Sequence, residues 1–205
     1  MAKSSRQKQK LLHILRMLVE RTDENHEITV AQIIDELESM GISAERKSVY
    51  DDLEVLEQAL PSMGYDLCRR KTNTAFYHIG SRPFQLAELK LLVDSVQSSK
   101  FITAKKSNEL ISKVEKQASV YEGRELQRQV YVSNRVKTPN ERIYYSVDTI
   151  HKAISEDKKI TFFYLEWALG SGMEKICKRK KRDGSRYCVS PFALTWDDEN
   201  YYLAR

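Results

Sequence analysis

Between residues 6 and 21 apolar side chains recur at helical spacing. Leu11, Leu15 and Leu18 form a stripe that Leu12, Ile14 and Val19 broaden, which predicts an amphipathic helix. Lys3, Arg6, Lys8 and Lys10 decorate its start, and the polar run TDENHE ends the pattern. A second helix is expected from Thr29, an N-cap residue with Gln32 at the reciprocal capping-box position. Val30, Ile33, Ile34 and Leu37 supply its apolar face, and Gly41 is placed to stop it. Ser43 is then expected to cap a third helix, in which Val49, Leu53, Leu56 and Leu60 keep one side on a core. Two helices separated only by Gly-Ile-Ser form a helix-turn-helix pattern.

After Pro61 and Gly64 the period changes. YDLCRR and TAFYHIG flank KTN, which predicts a hairpin with a basic approach and a polar tip, the shape of a wing. GSRP (80–83) marks a boundary. Beyond it Leu86, Leu89, Val93 and Val96 predict one helix, Leu110, Val114 and Ala118 a second, and residues 123–132 a third, before a linker at NRVKTPNER. A short helix around SVDTIHKAIS precedes KKITFFYLEW, whose two apolar sides predict a buried strand. MEKICKRKK lies between the turn signals GSG and RDGSR, with Asp183-Gly184 a strong hairpin dipeptide. YCVSPFALTW and NYYLAR, separated by DDEN, complete an all-β segment.

The 205 residues are 41% hydrophobic and 31% charged, which describes a globular chain able to bury a core. A net charge of +5 permits a polyanionic partner without requiring one. Cys68, Cys177 and Cys188 are odd in number and far apart, and the histidines are scattered. The chain therefore suggests neither a zinc site nor a disulfide framework, and a reducing cytoplasm is the expected compartment. No apolar run approaches the ~18–20 residues of a membrane span.

Charge changes the picture most in ISAERKSVYDDLEVLEQ (42–58). Its front carries Arg46, Lys47, Ser48 and Tyr50; its back half carries Asp51, Asp52, Glu54 and Glu57. A recognition helix reads the major groove mainly through its N-terminal residues, so the two halves are compatible with one DNA-reading rod. Arg46 and Lys47 would contact guanine edges or phosphates, and Ser48 and Tyr50 would donate to phosphate oxygens. Arg69, Arg70 and Lys71 of the wing extend the candidate DNA contact. A solvated surface helix is the competing explanation; the capped helix before it and the basic hairpin after it weigh against that.

These segments resemble a known family. ISAERKSVYDDLEVLEQ with its hairpin resembles the winged helix-turn-helix of DeoR-like bacterial regulators. KITFFYLEW…YCVSPFALTWDDENYYLAR resembles the opening of a WYL domain, with the signature at Tyr201, Tyr202 and Leu203 and Pro191 ahead of it. Together, over residues 6–79 and 147–205, they imply a WYL-domain transcriptional regulator. Asp51 stands where the family often has arginine, and Tyr201 where it usually has tryptophan. Family members continue past the signature with further strands that carry effector-pocket arginines. Residues 141–205 are therefore expected to form the N-terminal portion of the sensor domain, in a fragment or a shortened regulator.

The expected fold is α+β. It comprises a winged helix-turn-helix DNA-binding domain (1–80), a helical linker or dimerisation region (81–140), and a partial SH3-like β-barrel (141–205). Seven basic residues between Lys175 and Arg186, near Phe163, Tyr164, Tyr187 and Tyr202, suggest a platform where bases stack and cations hold the backbone. The candidate ligand residues are Tyr164, Lys178, Arg179, Lys180, Arg182, Arg186 and Tyr202. Competing explanations are a charged edge strand and a barrel core.

The expected function is a cytoplasmic transcription regulator, a repressor, acting as a homodimer on a double-stranded DNA operator. A single-stranded nucleic acid or nucleotide would be the effector, with no cofactor, metal or membrane involved. The alternative is a protein-interaction or RNA- or single-stranded-DNA-contacting module in phage defence or plasmid maintenance. Catalysis is not expected, because no phosphate loop, metal-ligand spacing or nucleophile elbow is present.

Overall fold

The computed structural model describes residues 2–126, 137–169, 176–181, 184–197 and 200–205. It is a mixed α+β chain that divides into two compact units. One runs to Ser98 and resumes at Ser107; the other comprises Ser99–Lys106 and the chain from residue 135 onward.

In the first unit, helix α1 (Ala2–Arg21) buries Ile14, Met17 and Leu18 on its apolar stripe. Helix α2 (Val30–Ser39) starts with the expected capping box. Gln32 N donates to Thr29 Oγ1 at 3.3 Å, and Thr29 N donates to Gln32 Oε1 at 2.8 Å. Such a cap is worth about 1 kcal/mol. Gly41 follows the helix at φ 74°, a left-handed conformation that lets Ile42 N reach back to Leu37 O.

Helix α3 (Arg46–Ala59) begins later than the sequence pattern suggests. Its N-cap is Glu45, which makes no side-chain capping bond, and Ser43 lies outside the helix. Val49, Leu53 and Leu56 are buried on α3, and Leu60 is buried in the 3-10 turn that follows, Leu60–Met63. Each fully buried aliphatic side chain contributes about 1.5–3 kcal/mol relative to exposure.

The hairpin forms from β2 (Asp66–Lys71) and β3 (Ala75–Ser81), and a short strand β1 (Ile28–Thr29) adds to it, giving the antiparallel order β1-β3-β2. Leu67 opposes Ile79 and Arg69 opposes Tyr77 on one face, while Cys68 opposes His78 and Arg70 opposes Phe76 on the other. The register slips after Asp66, which pairs with Ser81, leaving Gly80 as the extra residue. A Cβ at Gly80 would lie 2.6 Å from Cys68 Sγ, so any larger residue in this bulge would require the Cys68 side chain to shift.

Helices α4 (Leu86–Ser98), α5 (Ala104–Glu115) and α6 (Val120–Leu126) follow, with Leu89, Ala118 and Leu126 forming a second small core. The third expected central helix thus starts before residue 123, and residues 127–132 of that expectation lie outside the described residues. A buried polar cluster ties α6 to the turn after α1. Ser119 Oγ donates to Asp23 Oδ2, and His26 Nδ1 lies 2.7 Å from Asp23 Oδ1. Arg82 Nη2 donates to Val19 O (2.8 Å) and Thr22 O (2.6 Å), and its Nε lies 3.7 Å from Glu122 Oε2.

In the second unit, helix α7 (Arg142–Ser155) precedes three two-stranded antiparallel sheets. Strand β4 (Ile160–Phe162) pairs with β7 (Tyr187–Val189), β5 (Leu165–Leu169) with β6 (Ile176–Lys180), and β8 (Ala193–Asp197) with β9 (Asn200–Ala204). Three expectations change. KKITFFYLEW is two strands broken at Phe163 and Tyr164, and these residues, with Leu165 and Trp167, are exposed rather than buried. The strands on either side of Asp183-Gly184 do not pair with each other; the β5–β6 hairpin is nested inside the β4–β7 pair. No barrel closes among the described residues. No helix among them is long and apolar enough to cross a membrane.

Candidate nucleic-acid interface

The start of α3 presents Arg46 and Lys47, both exposed. Arg46 Nη2 donates to Tyr50 OH at 3.4 Å, and its guanidinium lies 5.8 Å from the Tyr50 ring centroid. Tyr50, one turn on, is half-buried against the core. This helix start is intrinsically weak. It lacks a capping side chain, and two cations sit at the positive end of the helix dipole, each costing a few tenths to about 1 kcal/mol.

Tertiary contacts offset that weakness. The ammonium of Lys10, only 4% exposed, donates to Ser48 Oγ and Ser48 O and lies 2.7 Å from Asp52 Oδ2. Ser48 is therefore engaged inside the unit, and Asp52 turns inward to a buried cation instead of facing solvent with the other acids. Lys10 precedes Ile14 by four residues and Leu18 by eight, which places it on the buried stripe of α1. That spacing, with Ile14 at i+4 and Leu18 at i+8, is the signal in the sequence that distinguishes Lys10 from Lys3, Arg6 and Lys8.

The hairpin separates the three candidate wing residues. Arg69 lies on the α3 side, 5.8 Å from the Tyr77 ring, in a groove of about 460 Å³ that Asp51, Glu54 and Glu57 also line. Arg70 points the opposite way and is forked onto Glu27, with Nε 3.0 Å from Oε1 and 3.1 Å from Oε2, while it covers Phe76 at 4.6 Å. Its hydrogen bond and charge hold the Glu27 carboxyl below the usual glutamate value; His78 Nδ1 lies 3.4 Å from the same carboxylate. Lys71 is exposed at the end of β2. The strand's period of two is the reason consecutive arginines cannot act together. Arg46, Lys47 and Lys71 thus remain as outward cations, whereas Ser48 and Arg70 have internal partners.

In the second unit, a cleft of about 1050 Å³ lies between α7 and the strands. Tyr145, Tyr164, Tyr187 and Tyr202 line it together with Lys181 and Arg205. It includes both candidate tyrosines, Tyr164 and Tyr202. The candidate cations mostly sit elsewhere. Lys180 Nζ is 3.8 Å and the Arg186 guanidinium 4.9 Å from the Phe163 ring centroid, so two cations share one aromatic ring. Arg179 is paired with Glu166 at 3.1 Å. Lys178 pairs with Trp167 in the β5–β6 register; its side chain, and the whole of Arg182, lie outside the described residues. Lys181, one of the seven basic residues of the expected platform, lies 5.4 Å from the Tyr164 ring, and Arg205 is a cleft cation that the sequence pattern does not mark. Comparison with protein-family models, curated proteins and solved structures finds no match for this chain.

Proposed function

We propose that this chain is a DNA-binding transcription regulator, a repressor, whose first unit is a winged helix-turn-helix and whose second unit senses a nucleotide or nucleic-acid-derived ligand on a WYL-type domain. The observation that carries the reading is the front of α3. Arg46 and Lys47 project outward there, behind a capped α2 and ahead of an antiparallel hairpin with an exposed lysine at its tip. Cations on the first turn of such a helix are the groups that meet base edges and phosphates in this mode of docking. The acids Asp51, Glu54 and Glu57 follow behind, toward the hairpin groove, and bias the contact to the helix front.

Action as a homodimer would set two such helices on successive major-groove turns. Exposed Leu91 and Leu92 on α4 supply apolar surface for that contact. An effector in the tyrosine-lined cleft would then change DNA affinity by its differential binding to two states. Selection from a random duplex pool by the full-length protein tests the reading: it should enrich a pseudo-palindrome with half-sites about one helical turn apart. A pool that stays unenriched, with equal binding to all duplexes, contradicts it.

The second reading, a module contacting RNA or single-stranded DNA, is favoured by one observation: tyrosines and cations share the 1050 Å³ cleft. Y164A/Y202A in the full chain separates the two. Loss of single-strand binding with no duplex preference in the parent protein would make the cleft the primary contact.

A further inference from the structure

We propose that Lys10 is a positioning residue for the DNA-reading end of α3, setting its seating without contacting the nucleic acid. The inference rests on the DNA-binding reading above.

Lysine is among the residues least often buried, because its ammonium loses its hydration shell unless protein groups replace it. Lys10 is buried to 4% exposure, and its polar partners belong to the first two turns of α3: Ser48 Oγ, Ser48 O and Asp52 Oδ2. These partners flank Val49, whose side chain is fully buried. The same stretch of α3 has little local support of its own. Glu45 provides no capping bond, the first turn has no acid, and Arg46 and Lys47 oppose the helix dipole. An acid within the first turn would offset the cations that this helix start presents. The structure moves the compensating anion to Asp52 and neutralises it from behind with Lys10, so that it does not repel phosphate.

The arrangement also gives direction. Lys10 reaches a main-chain carbonyl, a hydroxyl and a carboxylate on consecutive turns, so both the axial position and the rotation of α3 relative to α1 are specified. A shift of α3 by one residue would rotate Ser48 and Asp52 away together. In some proteins a polar group inside a core fixes register where an apolar pair would pack equally well in several positions, and Lys10 acts in that way here.

The test uses the full-length protein carrying K10M/D52L, which replaces the ion pair with apolar side chains of similar volume and leaves no lone buried charge. Hydrogen exchange without DNA should accelerate at the amides of Val49–Leu53, with α1 and α2 protected as in the parent. Preference for the selected duplex over random duplex should fall about tenfold, the size of one lost base contact, while the salt dependence of random-duplex binding stays the same. S48A, which keeps the ion pair, should give a smaller acceleration at the same amides. Unchanged exchange at Val49–Leu53 in both variants overturns the proposal. So does a uniform loss of protection across the unit in the S48A protein, which would make the contact general support for the core. If the parent protein binds no duplex preferentially, the DNA-binding reading fails, and the exchange arm still decides whether Lys10 holds α3.

Discussion

The two units solve the placement of charge and aromatic surface in opposite ways. The first encloses an apolar core in which Ile14, Ile33, Leu37, Val49 and Leu60 are completely buried, and its charges sort into outward cations and internal pairs. The second, among its described residues, buries only Ile102 and Ala153 of its apolar side chains, while Trp167 and Phe192 stay 69% and 81% exposed. There the cations lie on the rings: Lys180 and Arg186 on Phe163, Lys181 by Tyr164. A closed core separates hydrophobic work from electrostatic work. An open set of hairpins leaves both to the same surface, where aromatic faces and cations together suit stacking ligands.

The sharpest way to break this comparison is a matched pair of truncations. Leu53→Ala should destabilise the first unit by about 2–5 kcal/mol in denaturant unfolding, because the α3 core cannot collapse around the cavity. Phe192→Ala should stay within about 0.5 kcal/mol. Equal effects would mean that exposure does not distinguish the units.

Acid titration gives the next effect. Burial alone would raise the Asp23 carboxyl, but hydrogen bonds from Ser119, His26 and the Asn25 amide outweigh it and leave the group below its ordinary value. A folded value below the unfolded one contributes stability that is fully present above the unfolded value of about 3.9, and is lost as pH falls through the folded value. Asp23→Asn should lower stability at neutral pH and flatten the acid limb of the unfolding profile. An unaltered acid limb would remove Asp23 from the account. Thr29→Ala, by deleting the α2 cap, should cost about 1 kcal/mol, measured in the same denaturant titrations.

The smallest effect concerns the β2–β3 hairpin. Arg70 is matched by Glu27, so Arg70→Ala should leave the salt dependence of duplex binding nearly unchanged. Glu27→Gln frees the cation and should steepen the slope by at most about 0.9, one phosphate's worth. A large loss of affinity on removing Arg70 would show that the pair opens on DNA.

Much of the first unit was legible in the sequence because its signals are local. The stripes of α1 to α3, the Thr29–Gln32 cap and the stop at Gly41 all act within one or two turns. Ser43 misled because a capping residue type does not establish where the helix starts, and Glu45 takes the position without a bond. Lys10 with Asp52 and Arg70 with Glu27 join residues 42 and 43 positions apart, so no window of sequence contains both partners. The break at Phe163–Tyr164 was illegible for a different reason. Apolar residues on both sides of a strand carry no alternation, so they mark neither its end nor its buried face.

The most direct test is the salt dependence of duplex binding by the full-length protein and its Arg46→Ala/Lys47→Ala variant, followed by fluorescence anisotropy. The account predicts weaker binding by the variant and a logarithmic slope shallower by about 1.8, two phosphate equivalents at most. Identical affinities and identical slopes would contradict it, because the front of α3 would then not touch DNA.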